Sequence, residues 1–245
     1  MPERRLSPLG VIGLGLALIA FVCLILLGNW QVRRLHWKEG LLATIEARLA
    51  SPPVPLADIE TMAGDGADIR YRPVTVTGTF DHDRERHYFA TFEGLSGYYV
   101  YTPLRLEDGR IVFVNRGFVP FDRKNAATRA EGQVEGPVTI AGLSRERLPE
   151  KPSFLVPEND LSKNIFYWKD LDAMAASAGL GAETVLPFFI DAGDAANPGG
   201  LPVGGVTRIS FPNNHLQYAI TWYGLAAVLA IGIGVLVIRR RRNRD

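Results

Sequence analysis

A single histidine precedes the last apolar segment of the chain and shares a helical face with two aromatic residues. From Tyr218 to Ile238 there is no charged residue over 21 positions. At ~1.5 Å per residue, a helix of that length spans ~31 Å, about the thickness of one hydrocarbon core. One face of this helix, at spacings of i, i+3, i+4 and i+7, carries His215, Tyr218, Ala219 and Trp222. The pattern therefore places an imidazole, a common metal ligand, at the membrane surface above two aromatic rings.

The same residues also fit a purely structural interpretation. Asn214 is a good N-cap residue, and His215 would then simply occupy the first turn of the helix. Tyr218 and Trp222 would form an ordinary aromatic belt, because amphipathic rings are common at the membrane interface. The sequence is compatible with both interpretations, a binding face and a helix start.

Two other polar clusters could carry chemistry. Asp81–His87 contains two histidines and three carboxylates, which could form a metal or acid–base site. Its charges alternate in sign between two predicted strands, and we favour a solvated turn because that pattern is typical of one. The second cluster, Asn115-Arg116-Gly117, lies at a strand end. Its guanidinium could bind a carboxylate of a partner or tie the strand to its neighbour.

Two long apolar segments organise the chain. The first has 22 residues without charge, is too long for a signal-peptide core and predicts an uncleaved membrane anchor. Small residues at four-residue spacing predict that the two membrane helices pack closely on each other or on a partner. These residues are Gly13 and Ala17 in the first segment and Ala226, Ala230 and Gly234 in the second. The resulting parts are a head (1–8), a first span (9–30), a central domain (31–215), a second span (216–238) and an arginine-rich tail (239–245).

Charge is distributed unevenly around the two spans. The head carries +1 and the tail +4 against a total of +1, so residues 9–238 carry −4. Five arginines after the second span predict a cytoplasmic C-terminus, which puts the N-terminus on the same side and the central domain in the periplasm. The head is too short for a mitochondrial transit peptide, which favours the inner membrane of a bacterial cell. The mildly acidic body argues against a nucleic-acid partner and leaves membrane lipid and other proteins.

The central domain changes from helical to alternating periodicity. A helical pattern continues through Gln31–Leu49 and stops at the prolines of 52–55. Asp108-Gly109 predicts a hairpin between two strands, and Lys169–Ala178 predicts a short helix. Runs rich in β-branched and aromatic residues predict strands at 74–80, 87–92, 97–104, 111–114, 138–141, 187–191 and 206–211. The predicted fold is a membrane protein of α+β class, with two transmembrane helices bracketing a mostly antiparallel, barrel-like β domain.

Three motifs resemble the signatures of a known family. Gly28–Arg34 resembles Gly-x-Trp-Gln-x-x-Arg, and Val114–Pro120 resembles Val-Asn-Arg-Gly-Trp-Val-Pro, with Phe118 where the family usually has Trp. His215–Trp222 resembles His-x-x-Tyr-Ala-x-Thr-Trp. All three stand in the order found in the surfeit-locus cytochrome c oxidase assembly family. The shared plan, two membrane helices around a domain on the outer face, covers essentially the whole chain.

This resemblance implies a non-enzymatic factor for haem–copper oxidase biogenesis, acting as haem a enters catalytic subunit I, with haem a synthase as a further partner. It also implies that His215 contacts the haem. The residues permit this role, because haem iron accepts a neutral imidazole and flat rings contact the macrocycle. Haem propionates need cations, for which Arg33, Arg34 and Arg208 are candidates. No other histidine or methionine is expected at the depth of His215.

The predicted haem-binding residues are His215 as iron ligand, Tyr218, Trp222 and Arg33; the motif residues with a partner or structural role are Trp30, Gln31, Arg116 and Gly117. Two functions follow. The first is a carrier that holds haem at His215 and passes it to an oxidase subunit. The second is a membrane-anchored scaffold that stabilises an oxidase intermediate without touching haem. A hydrolase is a distant third, because the sequence has no Gly-x-Ser-x-Gly, His-Glu-x-x-His or repeated carboxylate pair.

Overall fold

The chain folds into two compact units that are described separately. The computed structural model describes residues 8–207 and 212–242, apart from the side chains of Arg240 and Arg241. A helical unit comprises Met1–Thr44 with Ser210–Asp245, and a β unit comprises Ile45–Ile209. The predicted fold class is confirmed, since two apolar helices flank a barrel-like, mixed β-sheet.

Each helix of the helical unit contains a stretch long and apolar enough to cross a membrane. Helix α1 covers Pro8–Leu49 and helix α4 covers His215–Arg242. The predicted spans 9–30 and 216–238 lie inside them. The helical pattern predicted for Gln31–Leu49 is a continuation of α1, because no proline interrupts it before residue 52. At ~1.5 Å per residue, α1 is ~63 Å long, about twice a hydrocarbon core.

The two helices contact each other at a glycine. A Cβ atom at Gly28 would lie 2.6 Å from Cε1 of Tyr223, so only glycine admits this ring. The Tyr223 hydroxyl donates to Oδ1 of Asn29 at 2.7 Å, beside the same crossing. On α4, Ala219 and Ala226 are buried. Of the predicted small-residue rows, Ala226 is buried, whereas Gly28 and Ala219 lie outside those rows.

The ends of the two small-residue rows do not form a helix–helix contact in the described chain, and their packing on a partner stays a prediction. Gly13 and Gly234 both face open space within the described chain, with no atom within 4 Å of an added Cβ. Ala230 is exposed. The helices thus approach each other near the residues of the Gly28–Arg34 motif and not along their whole length.

A seven-stranded sheet forms the β unit. Its strands are β1 (Val54–Pro55), β2 (Pro73–Phe80), β3 (Arg86–Phe92), β4 (Leu95–Arg105), β5 (Ile111–Pro120), β6 (Pro137–Glu146) and β7 (Val185–Ala192). They are ordered β1-β2-β6-β7-β5-β4-β3, and a further β2–β4 pairing closes β2, β6, β7, β5 and β4 into a barrel. Most neighbouring strands are antiparallel, whereas β1–β2 and β5–β7 are parallel. Asp108 and Gly109 form the predicted β4–β5 turn, where Gly109 has φ +85°.

Strands β5 and β7 are buried on both faces, which explains their continuous apolar runs. On β5, Val112 and Val114 enter one core cluster while Phe113 enters a second. Helix α3 (Leu171–Ser177), predicted from the sequence, covers the second cluster with Leu171 and Met174. This double burial holds the end of β5, with its Asn-Arg-Gly motif, in a fixed position.

Three elements differ from the sequence prediction, the first being β1, whose residues were predicted only to stop the preceding helix. Helix α2 (Leu56–Gly64) was not predicted, and it places Ile59, which is fully buried, in the first core cluster. The predicted strand 206–211 is not formed at Val206 and Thr207, and its remaining residues lie outside the described chain. Thr207 instead donates a side-chain hydrogen bond to Oδ2 of Asp191 at 2.8 Å.

Candidate functional site

The first and third sequence motifs meet at one hydrogen bond in the helical unit. Nδ1 of His215, the first residue of α4, lies 2.7 Å from Oε1 of Gln31 on α1. Gln31 is buried and His215 half-buried. Pro212 precedes the helix, and Oδ1 of Asn213 accepts from the backbone N–H of His215 at 3.5 Å. The loop before α4 thus sets where the imidazole begins the helix.

This contact decides which ring nitrogen carries the proton. An amide oxygen can only accept, so Nδ1 of His215 is the N–H that donates to Gln31. The neutral ring then has its lone pair on Nε2. Nε2 forms no hydrogen bond with any residue in 8–207 or 212–242. A neutral histidine with Nδ1 held by an acceptor and Nε2 open is the arrangement of a metal-ligating imidazole.

The predicted aromatic face divides into a packed part and an exposed part. Ala219 is buried, and Trp222 is half-buried, with an Nε1–H that is shielded from solvent and lacks an acceptor among the described residues. Tyr218 is 54% exposed, and Trp30 on α1 is 51% exposed. Tyr218 therefore lies at the edge of the helix pair, where a ring of a bound molecule could contact it.

Cationic side chains are present on α1 close to Gln31. Arg33 is exposed, and the Arg34 guanidinium stacks 4.0 Å from the centroid of the Trp37 ring. Lys38 donates from Nζ to the carbonyl oxygen of Pro212, which ties the loop before α4 to α1. Arg208, the third predicted propionate partner, lies outside the described residues.

Sequence reasoning overlooked His36. It stands five residues after Gln31 on α1, a rise of ~7.5 Å, and its side chain is exposed. This rise separates His36 from the level of the Gln31–His215 contact, and the expectation that no other histidine lies at the depth of His215 stays a prediction. His36 is on a different face from Gln31, since five residues turn the helix by ~500°. His36 therefore provides a control for any test of His215.

Arg116, in the second motif, is a buried arginine of the β unit. Its guanidinium donates to the backbone oxygen of Gly132 and, at 3.1 Å, to Oδ1 of Asn197. It also approaches Nδ1 of His82 at 3.4 Å and lies 4.8 Å from the centroid of the Phe80 ring. Burial, with the charge of Arg129 in addition, lowers the pKa of Arg116 to about 10. Of its two predicted roles, this geometry fits the one that ties strands and loops together.

Gly117 follows Arg116 at a close approach of two backbones. It has φ +126°, and an added Cβ would lie 1.9 Å from the carbonyl oxygen of Val203. The N–H of Phe118 donates to that same oxygen at 2.8 Å. Glycine is required here because any side chain would displace the 203 loop from β5.

The cluster Asp81–His87 is not the solvated turn that the charge pattern predicted. Glu85, Arg86 and His87 are each at least 92% buried. The Glu85 carboxylate accepts from Nε2 of His87 at 3.0 Å and forms an ion pair with Arg129, which is 44 residues away in the chain. Burial opposes ionisation of Glu85, but the His87 hydrogen bond and the Arg129 charge outweigh it and lower its pKa. The turn prediction failed because the sequence does not reveal Arg129 as the partner.

Comparison with known proteins covers both units. The family model described as the SURF1 family matches residues 18–227. The chain is 42% identical over 219 residues to Surfeit locus protein 1 of Homo sapiens, an alignment that covers 82% of this chain and 69% of the human protein. It is 40% identical over 232 residues to a SURF1-like protein of Monosiga brevicollis, with 89% and 85% covered respectively. The matched range includes both Gln31 and His215.

Proposed function

The chain belongs to the SURF1 family, and we propose that it is a membrane-anchored, non-enzymatic assembly factor for haem–copper terminal oxidases that binds haem a through His215. The observation that carries the proposal is the hydrogen bond between Gln31 and His215 at the start of an apolar helix. It joins two family motifs at a side chain suited to ligating iron.

Gln31 would fix both the direction and the tautomer of the ligand. An imidazole whose Nδ1–H is held by a carbonyl oxygen keeps Nε2 as the donor and becomes more basic. Haem iron accepts such a neutral imidazole as an axial ligand. The residues present therefore fit a haem, with His215 as ligand and Gln31 as its support.

The surroundings of His215 would hold the remainder of the macrocycle. Tyr218 offers an exposed ring for dispersion contact, and Trp222 offers an N–H donor without an acceptor in the described chain. Arg33 is an exposed cation on α1 for a propionate. One histidine gives weaker, more exchangeable ligation than two, which suits a protein that passes haem on. Haem a, when bound, supplies the iron centre that the oxidase requires.

The charge pattern gives the proposed topology. Five arginines at or beyond the end of α4 support cytoplasmic termini, with the β unit in the periplasm of a bacterial inner membrane. His215 would then lie at the outer membrane surface. The partners proposed are catalytic subunit I of the oxidase, as recipient, and haem a synthase, as donor.

One observation favours a second candidate, the scaffold without haem. The Gln31–His215 and Tyr223–Asn29 bonds tie α4 to α1, and the Lys38–Pro212 bond ties the loop before α4 to α1. A histidine in that set could serve helix packing alone. The two candidates therefore make different predictions for a residue that keeps the hydrogen bond but cannot ligate iron.

The deciding experiment uses His215→Asn. Its amide N–H occupies the position of Nδ1 and can still donate to Gln31, so the helix contact is kept while the imidazole is lost. Full-length protein is purified from cells that make haem a, and haem is measured per mole beside His36→Asn as the matched control. The carrier proposal expects a Soret band in wild type and His36→Asn and its loss in His215→Asn. Equal haem content in all three removes His215 as ligand, and absence of haem throughout favours the scaffold.

A further inference from the structure

The β unit contains a pocket that the haem proposal does not use. It has a volume of about 520 Å³, within the ~300–1,000 Å³ range of ligand sites. It lies between the β2–β3 connection and the segment after β5. Its lining includes the buried side chains of Glu85 and His87 and the exposed side chains of Asp83 and Asp122.

The floor of this pocket has acceptor atoms that the protein leaves unpaired. Nε2 of His87 donates to Oε1 of Glu85, so the neutral ring has its lone pair on Nδ1. Nδ1 of His87, Oε2 of Glu85 and Oδ1 of Asn164 are buried and have no hydrogen-bond partner within the described ranges. Buried polar groups are normally satisfied, and unpaired ones at a pocket floor favour a ligand that donates hydrogen bonds.

Formal charge at the pocket points to a cationic ligand. Three carboxylates line it, those of Asp83, Glu85 and Asp122, against one ammonium, that of Lys124. The Lys124 ammonium is already engaged, since Nζ donates to the carbonyl oxygen of Lys163 at 2.6 Å. Arg129 pairs with Glu85 from behind the floor and Arg123 lies 3.7 Å from Asp122, so Asp83 is the exposed carboxylate of the rim that has no ion pair within the described residues.

An aromatic wall distinguishes a guanidinium from a simple ammonium. Phe121 lines the pocket and is 49% exposed, and it is held by the rings of Tyr98 and Phe89, whose centroids lie 5.2 and 6.0 Å away. A guanidinium stacks on such a face and presents several donors in one plane. Its N–H groups could then reach toward the carboxylates while the ring covers one side.

From these observations we propose that the Glu85–His87 pocket is a docking site for an arginine side chain of a partner protein. The rim carboxylates are exposed, so an extended partner segment can insert its guanidinium while its backbone stays at the surface. This site belongs to the β unit and stands whether or not His215 binds haem.

The test uses histidine as the reporter, because the chain has four histidines. Full-length protein labelled with ¹³Cε1-histidine is placed in lipid nanodiscs, and each signal is assigned by replacing one histidine at a time. The probe is acetyl-Gly-Gly-Arg-Gly-Gly-amide. The same peptide with citrulline, which is isosteric but neutral, and one with glutamate are the controls. We expect saturable shifts of the His87 signal with the arginine peptide, while the His36 signal stays fixed.

Removing the rim charge tests the site without touching the buried ion pair. The double variant Asp83→Asn and Asp122→Asn should bind the arginine peptide about tenfold more weakly, as expected when charge-assisted contacts are lost. Glu107→Gln with Glu150→Gln removes the same charge from exposed positions elsewhere and should leave binding unchanged. Glu85→Gln, where it folds, should abolish binding.

Three results would overturn the proposal: no shift at His87 with any peptide, equal binding of arginine and citrulline peptides, or preference for the glutamate peptide. Equal weakening by the rim and the remote double variants would show that binding follows overall charge and not this pocket. None of these measurements involves haem, so they are independent of the His215 experiment.

Discussion

Nδ1 of His215 and Oε1 of Gln31 lie 2.7 Å apart, although 184 positions separate the two residues in the chain. Each belongs to a different sequence motif, one at the end of the first apolar segment and one at the start of the second. The two motifs are therefore parts of one site, in which Gln31 positions the imidazole. The motif alone assigned no specific role to Gln31, whereas this hydrogen bond gives it a role that can be tested.

Gln31→Leu should weaken haem binding while leaving His215 in place. Loss of the acceptor frees the imidazole to rotate and to change tautomer, and removal of such a supporting partner typically costs 10–100-fold in metal affinity. Gln31→Glu keeps the acceptor and adds negative charge, so it should retain haem with a lower midpoint potential. Haem titration and redox potentiometry of purified protein give both values. Equal affinity of Gln31→Leu and wild type would show that Gln31 does not support the ligand.

Gly28→Val should separate the helices at their crossing. The new side chain would occupy the space of the Tyr223 ring, whose Cε1 lies 2.6 Å from a Cβ at this position. We expect loss of haem and a changed histidine NMR signal for His215, with normal melting of the β unit. Gly15→Val is the matched control, because a Cβ there has no neighbour within 4 Å in the described structure. Similar behaviour of the two variants would contradict the proposed crossing.

Arg116→Ala should lower the stability of the β unit and not selectively its haem content. The change leaves the carbonyl oxygen of Gly132 and the amide of Asn197 without their donor, at a cost of roughly 1–3 kcal/mol. Arg116→Lys should recover only part of this, because an ammonium lacks the planar fork. Denaturant unfolding followed by circular dichroism measures the effect. Normal stability with lost oxidase assembly would instead identify Arg116 as a contact for the partner.

The Glu85 cluster predicts a loss of stability in acid. The pKa of folded Glu85 lies below its ordinary value of about 4.5, since His87 and Arg129 stabilise the carboxylate more than burial disfavours it. Its stabilisation is therefore complete above pH ~4.5 and is lost as the pH falls through the folded pKa. Thermal melting at pH 3 to 7 should show a shallower acid decline for Glu85→Gln than for wild type. Glu107→Gln, which removes an exposed carboxylate, should keep the wild-type decline.

Alkaline phosphatase fusions should report the topology. The enzyme folds only outside the cytoplasm, so a fusion after Pro157 should be active and a fusion after Asp245 inactive. The physical reason is the arginine-rich end of α4, which resists translocation. The reverse pattern would move the β unit to the cytoplasm and with it the site at His215.

The regular parts of the fold could be predicted because their signals are local. Six of the seven predicted strands, the Asp108-Gly109 turn and α3 are where the sequence placed them, the exception being the strand predicted at 206–211. Barrel closure by β2 and β4 and the parallel β5–β7 pairing depend on contacts distant in sequence, which a periodicity does not encode. Helix α2 escaped notice because it is short and gives the core a single fully buried residue, Ile59.

The candidate site was predictable in part for the same reason. His215 stood out because it precedes an apolar run, and Gln31 because of its motif. Their contact could not be read from either segment, since it depends on how α1 and α4 cross. Glu85 and His87 were misjudged as a solvated turn because their partner, Arg129, comes from a distant loop. The burial of a charged residue can be predicted only when its oppositely charged partner has been identified.

Closing five strands into a barrel also limits how another protein can recognise this one. Strand addition requires an open backbone edge, and among the described strands the cyclic pairing of β2, β6, β7, β5 and β4 leaves such edges at the flanking strands β1 and β3. The outer edge of β3 is already engaged, since Phe89 N–H donates to the Phe166 carbonyl at 2.7 Å and Phe166 N–H donates to that of His87 at 2.8 Å. The other flanking strand, β1, is two residues long, so a partner of the β unit would have to be recognised mainly through side chains.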